Sequence, residues 1–260
     1  VRFAAGKDGE DWATALAAAF ASGAKTIYFP HDVTVGRTVA LKGPVQRLIG
    51  TCRTEINWTR PIREAMNKRI KAAGRHDLDQ KAKEPPAMIF AEPDAERIVM
   101  IERMNVVSLK HASPATLVFR HGGPGAYTNA AGCGKLFMED LGANCFRFDH
   151  PQNVWVRQWN PEAHKAGPCI VSKGATIWSL GFKTEYESSK LWAFDGAKTE
   201  IVGAFIYPIG KIPKDRPIFK NVNSDLTVQY GTSVYRANHK VHIIDTQNGK
   251  TVNIGNDKLK

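Results

Sequence analysis

"NVWVRQWNPE", residues 153–162, is answered by "TIWSLGFKTE", residues 176–185. Each stretch writes an apolar, Trp-containing strand, then a bulky apolar residue, a polar residue, a small residue and Glu. Extending the frame to "KTEIVGAF" aligns Trp159, Phe182 and Phe205 at intervals of 23 and 23, and sets Ile201 after Trp155 and Trp178. A short repeat of β-type segments with no helix between them implies stacked units, each burying the apolar face of the next. A propeller blade needs about 40–50 residues and four strands, whereas each unit here has two strands and a turn, as one coil of a parallel β-helix would.

The pattern extends in both directions. From residue 135 the strands come in pairs, "NCFRFDH" with "NVWVRQW", "PCIVSKG" with "ATIWSLGF", "SKLWAFDG" with "KTEIVGAF" and "PIFKNVN" with "SDLTVQYG". Upstream, short apolar segments such as "AMIFAE", "RIVMIERMNVV" and "TLVFRH" continue the series. The stretch 121–134, "HGGPGAYTNAAGCG", reads as a loop by its Gly and Pro content, without the strand–loop–helix context of a phosphate cradle. A sandwich of hairpins would want Asn-Gly turns between strands. The chain has one, Asn248–Gly249, inside "VHIIDTQNGKTVNI", which reads as a closing hairpin. At the other end Trp12, Leu16 and Phe20 share one face of a helix over 9–22, with Asp11 as its N-cap and Gly23 closing it. That helix would cap the first coil and cover its unpaired edge.

The expected fold is therefore all-β: one single-stranded parallel β-helix over 1–260 with an N-terminal α-helical cap. The chain has 260 residues and is 43% hydrophobic, enough for a sizeable core, and it contains no apolar run long enough to span a membrane. Its formal charge of +11 favours polyanions. Residues 59–83 hold eight Lys and Arg against three Asp and Glu. With the Pro85–Pro86 exit, they read as a basic insertion leaving the coil. Cys52, Cys133, Cys145 and Cys169 form no C-x-x-C pair, which speaks against zinc or redox motifs. Cys145 and Cys169 open apolar strands and read as interior residues. In "HKVH" the two His, His239 and His242, would point to opposite faces of a strand and could not share a metal.

The stretches "DWATALAAAFASGAKTIYFP", "KLFMEDLGANCFRF", "VWVRQWNPE", "IWSLGFKTE" and "KTEIVGAFIYP" resemble the entry segment and coils of the pectate-lyase-like superfamily, with glycoside hydrolase family 55 among its relatives. The resemblance implies a right-handed parallel β-helix and a secreted or periplasmic bacterial protein acting on a polysaccharide as hydrolase or lyase. Non-catalytic binding modules, adhesins and fibre-type proteins share the scaffold, so the fold does not choose among them. The chain also looks like a piece of a longer, multi-module protein. No Asp cluster recurs at coil spacing, which leaves calcium-dependent lyase chemistry without ligands.

The residues just after the second strands stack where the coil turns. Asn160, His164, Lys183, Tyr186, Tyr207, Tyr235 and Arg236 are the expected sugar-binding set, and Glu162 and Glu185 the carboxylate pair. Two carboxyls on adjacent coils would lie at the spacing retaining glycosidases use. Tyr207 would orient the pair and Lys183 would hold its ionised member. No metal and no cofactor is expected. No helix-turn-helix, RNP or zinc signature supports nucleic acid as a partner, and no span supports a membrane.

Overall fold

The computed structural model describes residues 11–72, 84–143, 145–162, 167–234 and 237–255. After helix α1 (Ala13–Ala21) the chain forms β1 (Thr26–Tyr28), β2 (Val33–Val35), β3 (Val39–Leu41) and β4 (Arg47–Trp58). Helix α2 (Arg60–Ala72) follows, then β5 (Met88–Phe90), β6 (Ile98–Val106), β7 (Leu109–His111), β8 (Thr116–Arg120), β9 (Ala126–Asn129) and β10 (Leu136–Ala143). The second half comprises β11 (Cys145–Phe148), β12 (Asn153–Pro161), β13 (Pro168–Lys173), β14 (Thr176–Glu185), β15 (Ser189–Phe194) and β16 (Lys198–Tyr207). It ends with β17 (Pro217–Val222), β18 (Asp225–Thr232), β19 (Val241–Gln247) and β20 (Lys250–Gly255).

From β3 onward the strands alternate between two sheets. The first runs β1-β4-β6-β8-β10-β12-β14-β16-β18, with β2 also on β4; the second runs from β3 through the odd-numbered strands to β19 and β20. Every pairing is parallel except the β19–β20 hairpin, whose Asn248–Gly249 turn has both residues at positive φ (51° and 78°). The molecule is a parallel β-solenoid of about 9 turns. Each turn, here called a rung, advances by about 4.8 Å.

One backbone feature recurs in seven successive rungs, from β4 to β16. In the first sheet a residue at the same level has left-handed φ: Cys52, Arg103, His121, Asp140, Gln158, Gly181 and Gly203. Pairing skips this residue each time: Glu139 faces Arg157 and the next pair is Leu141 with Trp159. The column is a corner dividing the sheet into a first arm, 153–157 in β12, and a second arm beginning at Trp159. Just past it Leu141, Trp159 and Phe182 turn inward and are buried. Trp159 packs edge-on against Phe146 of the second sheet, with ring centroids 4.9 Å apart, and against Phe182 of the next rung at 5.9 Å.

The corner corrects the repeat frame at one rung. Trp159 pairs with Phe182 and Trp155 with Trp178, as the spacing predicts. Phe182, however, pairs with Ala204, Trp178 with Glu200 and Ser179 with Ile201, while Phe205 lies beside Lys183 and is 50% exposed. The left-handed Gly203 follows Gly181 by 22 residues rather than 23, so matching aromatic to aromatic slips the frame by one and reverses the face.

Other local expectations change as well. Helix α1 begins at Ala13 with Trp12 at the N-cap position, and the Trp12 side chain makes no capping bond. The Asp11 carboxylate instead accepts the N–H groups of Ala13 (2.8 Å) and Gly36 (2.9 Å), tying the helix to the following loop. Ala13, Leu16, Ala19 and Phe20 form its buried face. Within 121–134 the chain is not all loop: Ala126–Asn129 is a strand paired with β7 and β11. The basic stretch leaves the sheet as α2, which buries Met66 and Ile70 and exposes its charges; residues 73–83 lie outside the described residues. Among the described residues no helix is long and apolar enough to cross a membrane.

Candidate functional site

Beyond the corner, the second arm of β14 turns Phe182 and Thr184 inward and leaves Lys183 and Glu185 on the outer side. The same alternation in β12 buries Trp159 and Pro161 and leaves Asn160 half-buried, with Glu162 just past the strand. Thr184 Oγ1 donates to the Pro161 carbonyl (2.6 Å), which locks the two rungs together at this level. Lys183 Nζ then donates to Glu162 Oε1 (3.0 Å) on one rung and to Glu185 Oε1 on its own. Both carboxylates are within reach of one nitrogen, so these oxygens lie within about 6 Å of each other. Burial alone pulls the Lys183 ammonium down. The hydrogen bonds to Glu185 and Glu162 and their charges outweigh it, so Lys183 is held above its ordinary value.

The next rung completes the surface. Phe205 pairs with Lys183 and Tyr207 with Glu185. Their rings are parallel, with an interplanar angle of 9° and centroids 6.4 Å apart. Phe205 is absent from the expected set because the slipped frame turns it inward; the Gly181–Gly203 alignment would have placed it beside Lys183. Asn160 lies on the same side, although its Oδ1 is sealed from solvent and has no hydrogen-bond partner among the described residues. Tyr186 sits in the turn after β14 with φ 67°. His164, Tyr235 and Arg236 lie outside the described residues.

A buried lysine, which the sequence reading missed, supports the turn from inside. Lys190 is level with Cys169, between the Pro168–Ser189 and Ile170–Leu191 pairs, and is fully buried. Its Nζ donates to the carbonyls of Glu185 (2.6 Å) and Tyr186 (3.0 Å). Burial pushes its ammonium down, partly offset by Cys169, Glu187, Glu162 and Glu185. In sequence it stands where the preceding coil has Cys169, and a cation at an interior level signals a carbonyl-lined socket.

The "HKVH" histidines do not take opposite faces of one strand. His239 precedes β19, and both rings are buried. His239 Nδ1 bonds the Arg216 carbonyl (3.0 Å), and His242 Nδ1 contacts the Tyr230 hydroxyl (2.6 Å). Among the described residues no group of three His, Cys, Asp or Glu is placed to hold a metal ion. Of the cysteines, Cys169 is buried, Cys133 half-buried and Cys52 exposed.

The first arm carries a second outward feature. Phe137, Trp155 and Trp178 stack across three rungs, at 4.7 Å and 9° and then at 5.1 Å and 14°. Beside them Glu139 accepts from Arg120 (3.1 Å) and from Arg157. Phe137, Trp155, Trp178, Glu139 and Arg157 line an open groove of about 460 Å³.

Comparison of the chain with protein-family models, with curated proteins and with solved structures returns no match.

Proposed function

We propose that the protein is a secreted, carbohydrate-active member of the right-handed, pectate-lyase-like β-helix class, with α1 capping the first coil. Its ligand is a polysaccharide, and an acidic one suits the +11 charge. One observation supports this reading above the rest: Glu162, Lys183 and Glu185 are in contact on the outer side of the second arm, with Phe205 and Tyr207 beside them. Carboxylates and an ammonium offer a sugar both acceptors and donors, and an exposed ring offers its C–H face an apolar surface. If the site cleaves a glycosidic bond, Glu162 and Glu185 are its acid and its nucleophile, at a separation suited to retention. Lys183 would have to leave one of them for that carboxyl to reach the glycosidic oxygen.

A second reading has its own support. As found, Lys183 Nζ is bonded to both carboxylates at once, so both are engaged in one ion-paired cluster. That state suits a binding module with no turnover. A panel of polysaccharides, scored for retention, for reducing ends and for unsaturated products absorbing in the ultraviolet, separates the two. A hydrolase releases reducing ends and loses at least about a hundredfold in rate in Glu162→Gln or Glu185→Gln. A binder releases nothing and loses retention in Lys183→Met. Failure to retain any polysaccharide ends the carbohydrate reading.

A further inference from the structure

The outer face of the first arm fits neither sugar nor polyanion, and its pattern is complementary to itself. Successive rungs from β4 to β14 place Arg47, Met100, Val118, Phe137, Trp155 and Trp178 in one column. Two residues along, the same rungs place Ile49, Glu102, Arg120, Glu139, Arg157 and Leu180 in a second. In the first column the central ring, Trp155, is covered on both sides by Phe137 and Trp178, so it presents only its edge to a pyranose. Phe137, Trp178 and Leu180 are nevertheless exposed, at 37%, 39% and 62%. Contiguous exposed apolar side chains of this kind mark an interaction surface.

The charges choose the partner. Glu102, Arg120, Glu139 and Arg157 alternate in sign and sum to zero on a chain whose net charge is +11. A polyanion gains nothing from this strip, whereas two copies of a basic chain can bring it together with little repulsion.

We propose that this face is a homodimer interface in which two solenoids pack face to face with antiparallel axes, about a two-fold axis between the Arg120 and Glu139 rungs. That operation keeps each column opposite itself and reverses the rung order. Arg47 donates to Glu102 within each chain (Nε to Oε2, 2.9 Å) and Glu102 is buried, so this ion pair as a unit lies opposite the partner's Arg157 and Trp178, and Arg120 lies opposite the partner's Glu139. Ile49 meets the partner's Leu180 and Val118 the partner's Phe137. Met100 lies against the partner's Trp155, a sulfur–aromatic contact, and Arg47 against the partner's Trp178, a cation over an indole. All six opposed pairs are like with like in polarity or opposite in charge, or set a cation on an aromatic ring. A shift by one rung would instead set Glu139 against its own copy and Arg120 against the partner's Arg157, or Arg120 against its own copy and Glu102 against the partner's Glu139. Isologous closure leaves no free copy of the face, so assembly stops at two. The second arm lies beyond the corner, so this interface does not depend on the carbohydrate reading.

The test is sedimentation of the whole chain over a range of concentration. The wild type should be a dimer, and Trp155→Asp should be a monomer with an unchanged circular dichroism spectrum. Should Trp155→Asp fail to fold, an introduced charge pair decides. Ile49 and Leu180 are five rungs, about 24 Å, apart within one chain, too far to couple directly. Across the two-fold they face each other, and neither takes part in an ion pair that a substitution would break. Ile49→Lys and Leu180→Asp should each weaken the dimer by roughly tenfold or more, and the double variant should recover most of that loss. A wild type that stays monomeric at the highest soluble concentration, a trimer, or a double variant no better than the singles would overturn the proposal. So would a monomer whose tryptophan fluorescence is quenched by a glycan, which would make the groove a sugar site.

Discussion

At the scale of single residues, the interior is held as much by placed polar groups as by apolar ones. His111 is fully buried in the second sheet. Its Nε2 lies 3.1 Å from the Ala115 carbonyl, which must accept, so Nδ1 is left to accept from Gln152 Nε2 at 3.1 Å. Protonating Nδ1 would set two donors face to face. Burial, partly offset by backbone hydrogen bonds, pushes His111 down to about 4, and burial does the same for His239. A histidine whose folded value lies below its unfolded one stabilises the fold fully above pH ~6.5, and that stability is lost as pH falls toward ~4. Thermal melts should therefore show the midpoint falling between pH 6.5 and pH 4, as up to about 3 kcal/mol of stability per histidine is lost. His111→Gln, which loses the titration, should flatten part of that slope; an unchanged slope would remove His111 from the account. The corner residues act through the backbone instead. A Cβ on Gly203 would meet nothing within 4 Å, yet its φ is +73°. Gly203→Val should cost about 1–2 kcal/mol from backbone strain alone, and Gly203→Asn much less. Equal melting temperatures for the two variants would show that the corner tolerates any residue.

At the scale of elements, the legible parts of the sequence were those that repeat at constant spacing. Trp155 over Trp178 and Trp159 over Phe182 were legible because the one coil between the corners Gln158 and Gly181 spends 23 residues and sets both pairs. The Glu162–Lys183–Glu185 cluster was legible for the same reason, since a stacked strand also fixes the residues just past its end. Phe205 was not, because its rung spends 22 residues and an outward aromatic imitates an inward one. The row Glu102, Arg120, Glu139 and Arg157 recurs at 18, 19 and 18 residues, off the 23-residue spacing that reveals the later rungs, and the socket of Lys190 is signalled only once Lys190 is aligned with the interior Cys169. The aromatic stack also predicts how elements depend on one another. Trp159 joins β12 to β14 through Phe182 and to the second sheet through Phe146. Trp159→Ala should cost about 3–5 kcal/mol, while the outward Trp155→Ala should cost far less in monomer stability. Denaturant titration would compare the two directly, and similar losses would contradict the inward–outward assignment.

At the scale of the whole molecule, a solenoid is a one-dimensional stack in which each rung is stabilised by its neighbours, so its ends are its weakest parts. The two sheets end differently at the C-terminal side. In the second sheet β20 folds back on β19 and satisfies that edge. In the first, β18 is the final strand, and none of its residues is buried. Leu226, Val228 and Tyr230 are only partly covered. Amide exchange should therefore be fastest along β18 and slowest in β12 and β14, whose neighbours lie on both sides. The hairpin has a protective role that the same logic exposes. Removing residues 248–260 would leave β19 with a row of unpaired backbone groups beside the open β18, an edge on which other chains can add strands. The shortened protein should keep its β circular dichroism, since the rungs from β4 to β17 are untouched, but it should melt earlier and aggregate with time and concentration. Restoring a charge on the exposed edge, by Ile244→Lys in the shortened chain, should suppress aggregation without restoring the melting temperature. A shortened chain that stays soluble and melts as before would mean that the hairpin protects nothing, and that the solenoid is closed at this end by β18 alone.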